Sequence, residues 1–137
     1  MNRRTIQAGM IVLALMLASL ACSFNFSSAS VDNVRMAKDQ EGTQATTQFN
    51  PEDPFYLVGD MSNAPDDTIL KVVWTAVDVE GTEANTIIQE IEEVGGSGPF
   101  WFNLTSNSGI WPPGSYKADL YLNDELTQTL DFEVVGP

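Results

Sequence analysis

The last part of the chain alternates between apolar and polar positions. Every second residue from 126 to 134 is predicted to point inward, and these residues are Leu126, Gln128, Leu130, Phe132 and Val134. A period of two is typical of a strand with one face in a core and the other in water. A similar segment begins at Tyr116. The pair Asn123-Asp124 between the two segments predicts a tight hairpin, because both residues tolerate positive φ.

Comparable apolar segments, separated by turn-forming residues, occur earlier in the chain. They predict strands over residues 31–37, 46–49, 55–61, 68–77, 86–91 and 98–104. Residues 85–94 are also compatible with a helix, but their three isoleucines favour a strand. About seven short strands without crossover helices predict an all-β fold, an antiparallel sandwich.

The N-terminus has the pattern of an export signal. Arg3 and Arg4 precede an apolar segment from Ala8 to Leu20, and small residues follow it. The segment is shorter than the roughly 20 residues that a membrane-spanning helix needs. The pattern therefore favours a cleaved signal peptide over a retained anchor helix.

The sequence Ser19-Leu20-Ala21-Cys22 resembles the acylation site of bacterial lipoproteins, with serine where an aliphatic residue is commonest. The resemblance implies a signal peptide over residues 1–21, a lipid on Cys22 with a tether to residue 30, and a β domain over residues 31–137. We therefore expect an extracytoplasmic protein held at a membrane. The alternative is cleavage after Ala29, with Ser27 and Ala29 as the small-x-small pair, which would release a secreted protein.

The charge balance excludes one class of partner. The chain has 6 basic and 19 acidic residues. Loss of Arg3 and Arg4 leaves 6 − 2 = 4 basic residues and a formal charge of 4 − 19 = −15. Such a surface repels nucleic acid, so we expect no nucleic-acid partner. Solubility is the simplest role of the acids.

The residue inventory argues against an enzyme. The chain contains no histidine and a single cysteine, Cys22. Ser-His-Asp, Cys-His and histidine-ligated zinc sites are therefore excluded. The glycines from Gly95 to Gly98 lead straight into an apolar segment and not into a helix, so they do not form a phosphate loop. We expect a non-enzymatic protein without a cofactor.

Two acidic groups could supply oxygen ligands to calcium. One is Asp66-Asp67, and the other comprises Glu90, Glu92 and Glu93. Neither has the spacing of an EF-hand loop. A turn explains the first group and a solvated sheet edge explains the second, so we expect no metal site.

Three aromatic residues are candidates for partner binding. Trp101 and Tyr121 are out of phase with the apolar residues of their strands, and Trp111 lies in a loop. Exposed aromatic rings can stack on sugars or anchor a protein partner. The alternative is structural: Trp111 covers one end of the sandwich, and Trp101 pairs with a neighbour on the next strand.

Three segments resemble bacterial immunoglobulin-like or fibronectin-III-like domains carried by envelope lipoproteins. They are ILKVVWTAV around Trp74, the Pro112-Pro113-Gly114-Ser115-Tyr116 segment, and the final hairpin LYLNDELTQTLDFEVV. The resemblance implies that Trp74 packs between two sheets and that Tyr116 is a corner tyrosine. It also implies a binding or adhesion module for a protein or another envelope component. A carbohydrate-binding domain and a structural spacer are the alternatives.

Overall fold

A computed structural model describes residues 28–136, which form eight strands and no helix. The strands are β1 (Ser30–Ala37), β2 (Gln48–Phe49), β3 (Phe55–Ser62), β4 (Thr68–Val79), β5 (Thr86–Gly95), β6 (Gly98–Leu104), β7 (Gly114–Leu122) and β8 (Glu125–Val134). Each predicted strand is present within a few residues of its predicted bounds. The segment that was compatible with a helix forms strand β5.

The strands form two sheets that face each other. One has three strands in the order β1-β3-β6, and the other has five in the order β2-β8-β7-β4-β5. All pairings are antiparallel except that of the two-residue β2 with β8. The predicted fold class, an immunoglobulin-like β-sandwich, is confirmed.

The core between the sheets is rich in aromatic rings. Trp74 is fully buried, as the sequence predicted, and its ring stacks on that of Phe55 with centroids 6.4 Å apart. Phe55 is also fully buried and contacts four further rings, which are those of Phe49, Trp111, Tyr116 and Phe132. Phe55 is therefore the centre of the aromatic core.

Tyr116 joins the core to the loop that precedes β7. Its hydroxyl donates a hydrogen bond to the backbone oxygen of Pro112, at 2.5 Å, while its ring stacks on Phe132. This is the geometry of a corner tyrosine, which fastens a loop to the sandwich. Burial raises the pKa of the Tyr116 hydroxyl to about 12, since the charged phenolate is poorly solvated there.

We expect Tyr116→Phe to lower the free energy of unfolding by about 1–2 kcal/mol near neutral pH, because it leaves the Pro112 oxygen without this donor. The folded-state pKa lies above the usual value of 10. Because the phenolate forms more readily in the unfolded chain, the free energy of unfolding of the wild type falls progressively as pH rises from 10 towards 12. Urea titrations at pH 7 and pH 11 should show the advantage of the wild type shrinking. A constant difference would contradict this prediction.

The predicted hairpin turn connects β7 and β8. Asn123 and Asp124 have φ of 49° and 66°, so both lie in the left-handed region that a two-residue hairpin requires. The Asn123 side-chain oxygen also accepts a hydrogen bond from the Ile69 backbone N–H at 3.0 Å. Asn123 thereby fixes the hairpin to the start of β4.

The first half of β8 differs from its prediction. Leu120 pairs with Gln128, but Tyr121 pairs with Leu126, so Thr127 is an extra residue in the ladder. A one-residue shift places the side chains before it on the opposite face of the sheet from the face that a continuous alternation predicts. Leu126 is consequently 51% exposed and not inward. Phe132 and Val134, beyond the shift, are buried as predicted.

The chain enters the sandwich at one end. Ser30 pairs with Ser62, and the hairpin at residues 123–124 is bonded to Ile69 at the same end. The loop of residues 105–113 lies at the opposite end, where β6 ends and β7 begins. The long strand edges run between the two ends, along the sides of the domain.

Candidate functional site

Trp101 is an exposed aromatic residue on the outer face of the three-stranded sheet. Its side chain is 43% exposed, whereas the following residue, Phe102, is buried between the sheets. The Trp101 ring contacts that of Tyr56, with centroids 6.2 Å apart. Trp101 therefore has both an aromatic neighbour on the adjacent strand and a free surface.

Tyr121 lies on the outer face of the other sheet, and its neighbours Leu120 and Leu122 are buried. The Lys71 ammonium lies 4.7 Å from the centre of the Tyr121 ring. A cation at this distance covers part of the ring face. Trp101 and Tyr121 are thus on opposite sides of the sandwich and do not form one site.

Trp111 belongs to the core. Its side chain is 8% exposed, and its ring stacks on that of Phe55 with centroids 4.6 Å apart. Its backbone N–H donates to the Pro51 oxygen at 2.7 Å, which fixes the loop across the end of the sandwich. Trp111 therefore covers one end of the sandwich, and its ring is largely buried.

Strand β5 is a surface that the sequence did not identify as a binding site. It is the last strand of the five-stranded sheet and pairs on one side only, with β4. Such an edge carries unpaired backbone N–H and C=O groups that can bond to another strand. β5 is 10 residues long, so it offers a long edge to a partner.

The side chains of β5 include exposed apolar groups. Ile87 is 57% exposed, Ile88 is 36% exposed and Val94 is 65% exposed. The facing sheet has three strands against five, and eight of the ten residues from Thr86 to Gly95 are exposed, Ile91 and Gly95 being half-buried. β5 therefore presents apolar side chains together with its free backbone.

The other three sheet edges are modified in ways that discourage strand addition. β1 has a register irregularity between Asp32 and Arg35, and its end pairs with its own following loop through Ala37 and Ala45. β6 contains Pro99, which lacks an N–H, and β2 has only two residues. β5 is the longest edge; it also has a register shift, at Ile88, and its regular part covers residues 89–95.

Negative charge is concentrated along β5. Glu90, Glu92 and Glu93 are exposed, and neither ion pair found among residues 28–136 includes them. Lys71 is opposite Glu92 in the strand register, but its ammonium lies over the Tyr121 ring. The edge therefore keeps an uncompensated negative charge.

One carboxylate has an evident structural role. Asp39 accepts hydrogen bonds from the Thr43 hydroxyl at 2.5 Å and from the Gln44 backbone N–H at 2.8 Å. These bonds lower the pKa of Asp39 below its usual value, and the bond from the Thr43 hydroxyl has the largest effect. Asp39 thus closes the loop after β1.

Among residues 28–136, no cluster of three or more Asp, Glu, His or Cys side chains has an arrangement that could hold a metal ion. The two acidic groups considered for calcium, Asp66-Asp67 and the glutamates of β5, form no such cluster. In the same part of the chain, no helix is long and apolar enough to cross a membrane. Cys22, the predicted acylation site, lies outside the described residues.

Two cavities of about 580 Å³ flank the buried Trp111. One lies beside β5 and has polar walls, formed by Gln89, Thr105, Ser106, Asn107 and Ser108 with Ile88, Leu104 and Trp111. The other is mainly apolar and is formed by Asn50, Pro51, Glu52, Ser108, Ile110, Trp111, Pro112 and Pro113. Little of Trp111 is accessible in either cavity, because the residue is 8% exposed.

Comparison with protein-family models and with curated protein sequences gives no match. Among solved structures, the chain is similar to an immunoglobulin-like protein from Pseudomonas aeruginosa, with 14% identity, a TM-score of 0.52 and coverage of 79% of this chain and 97% of that one. This similarity and the two-sheet topology define the class of the domain, an immunoglobulin-like β-sandwich.

Two enzymes also contain a similar domain. The alkylpurine DNA glycosylase AlkC of Pseudomonas fluorescens matches 80% of this chain with 12% identity and a TM-score of 0.50. The β-glucosidase of Listeria innocua matches 80% with 14% identity and the same TM-score of 0.50. The chain spans 31% of the first enzyme and 16% of the second. At these identities the likeness shows the fold alone.

Proposed function

We propose that this protein is an extracytoplasmic lipoprotein, anchored through Cys22, whose immunoglobulin-like domain binds a protein partner along β5. The observation that carries the proposal is the free edge of β5, with exposed Ile87 and Val94 beside an unpaired backbone. Strand edges of this kind are a recurrent means of protein recognition. The domain would act as a binding module and not as an enzyme.

The position of β5 suits a protein held at a membrane. The chain enters at the end of the sandwich that contains Ser30, and β5 runs along one side between the two ends. The side of a tethered domain is accessible to neighbouring proteins on the same surface. A partner would therefore reach β5 laterally.

The absence of histidine from the chain and the location of its only cysteine at position 22 support a non-enzymatic role. Glycan binding is less well supported. A sugar site needs an accessible aromatic ring beside a cavity, but Trp111, which lines both cavities, is 8% exposed, and the accessible Trp101 lines neither of them. A spacer is also less well supported, since it gives no reason for exposed isoleucine and valine along β5.

The proposal can be tested by affinity capture from a native cell-envelope extract, with residues 23–137 as bait. This segment keeps both sheets and the core. The double variant Ile87→Ala/Val94→Ala should lose the captured protein, because it removes the apolar contacts of β5. The matched control is Ile110→Ala/Leu126→Ala, which removes apolar residues that are 56% and 51% exposed elsewhere on the surface.

A third variant, Trp101→Ala, tests the exposed aromatic ring on the opposite sheet. Loss of capture with Trp101→Ala alone would move the binding surface to the three-stranded sheet. Equal retention by the β5 variant and the wild type would contradict the proposed role of β5. Capture of polysaccharide and no protein would favour the glycan-binding alternative.

A further inference from the structure

We infer that the partner of β5 is an extended, positively charged segment that adds to the sheet as a sixth strand. The inference rests on the proposed function and specifies its partner. Three features of β5 support it: an unpaired backbone edge, a pattern of side chains that differs between its two faces, and an uncompensated negative charge.

The backbone edge selects an extended partner. An incoming strand can form a ladder of hydrogen bonds along residues 89–95, the part of β5 that pairs with β4 without a register shift. These bonds are made by main-chain groups, so they favour any extended segment over a helix. The side chains must then supply the specificity.

The two faces of β5 differ in character. On the inner face, half-buried Ile91 pairs with buried Val72, and exposed Glu93 pairs with Leu70. On the outer face, exposed Glu90 and Glu92 pair with Val73 and Lys71, and Val94 follows them. A bound strand would place alternate side chains beside these two sets. Lysine or arginine facing outward would match Glu90 and Glu92, and an apolar residue facing inward would match Ile91.

Charge argues against a second copy of the same strand. In an antiparallel pair centred on Ile91, Glu90 of one copy would lie directly opposite Glu92 of the other. Like charges at opposed positions destabilise strand pairing. The whole domain adds to this repulsion, because it has 4 basic residues, after Arg3 and Arg4 are excluded, against 19 acids. The same charges attract a basic segment.

The basic side chains of the domain do not neutralise the negative charge of β5. Lys38 pairs with Asp53 at 3.0 Å, and Lys117 pairs with Asp119 at 3.6 Å. Arg35 donates to backbone oxygens of Asn33 and Gly42. With Lys71 over Tyr121, these four are the basic residues of the described part, and none forms an ion pair with β5.

The experiment uses a synthetic peptide of alternating lysine and valine, equal in length to the 10 residues of β5. It is added to residues 23–137, and binding is measured by fluorescence anisotropy at low salt. Glu90→Lys/Glu92→Lys should weaken binding about tenfold. The matched control Glu125→Lys/Asp131→Lys makes the same charge change at two exposed positions of β8 and should change binding by less than about twofold.

Amide hydrogen exchange separates strand addition from simple charge attraction. With the alternating peptide bound, amides of β5 that exchange freely should become protected. Equal weakening by the two charge-reversal variants, or no new protection in β5, would overturn the inference. Binding of a peptide with the sequence of β5 itself would also overturn it and assign the edge to a second copy.

The two proposals fail in distinguishable ways. An envelope protein that is captured by the wild type and lost with Ile87→Ala/Val94→Ala supports the proposed function even if the lysine-valine peptide gives no protection. In that case the strand-addition inference alone is overturned. Protection of β5 by the peptide supports the inference even when the extract contains no partner.

Discussion

Replacement of Phe55 by alanine is expected to lower the free energy of unfolding by about 3–5 kcal/mol. The Phe55 ring is fully buried and contacts five other rings, among them Trp74 and Trp111. Its removal leaves a cavity that these rings cannot fill without moving. Since small domains are stable by about 5–15 kcal/mol in total, the variant should lose a large fraction of the stability of the domain.

The measurement is urea unfolding of residues 23–137, followed by circular dichroism. Leu126→Ala is the control, because Leu126 is an apolar residue that is 51% exposed. Its effect should remain within about 0.5 kcal/mol. A loss below about 1 kcal/mol for Phe55→Ala would mean that the ring cluster repacks easily and that Phe55 is not its centre.

Replacement of Cys22 by serine is expected to move the protein from the membrane fraction to the soluble fraction. In the proposed lipoprotein the lipid on Cys22 supplies the anchor, and serine cannot carry a thioether-linked lipid. Acyl chains bind bilayers in proportion to their buried CH₂ groups, at about 0.8 kcal/mol each, so loss of the lipid should abolish stable attachment. Fractionation of cells and mass measurement of the mature N-terminus test this result.

Ser27→Arg separates lipidation from the alternative cleavage after Ala29. If Cys22 is the processing site, Ser27→Arg leaves the protein in the membrane with an acylated Cys22 at its N-terminus. If cleavage occurs after Ala29, arginine in place of the small residue blocks processing, and Cys22→Ser has no effect. The second pattern would contradict the lipoprotein interpretation.

The alternation of apolar and polar residues was sufficient to predict the strands and the sandwich. Local chemistry also predicted the Asn123-Asp124 turn, because the turn depends on nearby sequence. The roles of Trp74 and Tyr116 were implied by the resemblance to immunoglobulin-like domains. The exposure of Leu126 was not predictable in this way. It depends on Thr127, an extra residue that appears only when β8 is paired with β7.

The candidate surface was less predictable than the fold. β5 is an edge because of the order of strands in the sheet, which is a long-range property that strand periodicity does not contain. Its three glutamates were explained from the sequence as a solvated edge, but their isolation from lysine and arginine required the structure. Trp111 was assigned to a loop correctly, yet its stacking on Phe55 depends on how that loop crosses the end of the sandwich.

The three tryptophans lie at three different depths, with exposed fractions of 0% for Trp74, 8% for Trp111 and 43% for Trp101. Their fluorescence should therefore differ in emission wavelength and in quenching by acrylamide, with Trp101 the most accessible. Trp101 also belongs to the sheet that does not contain β5. The protein thus contains its own optical probes for core packing and for its outer surface, without an added label.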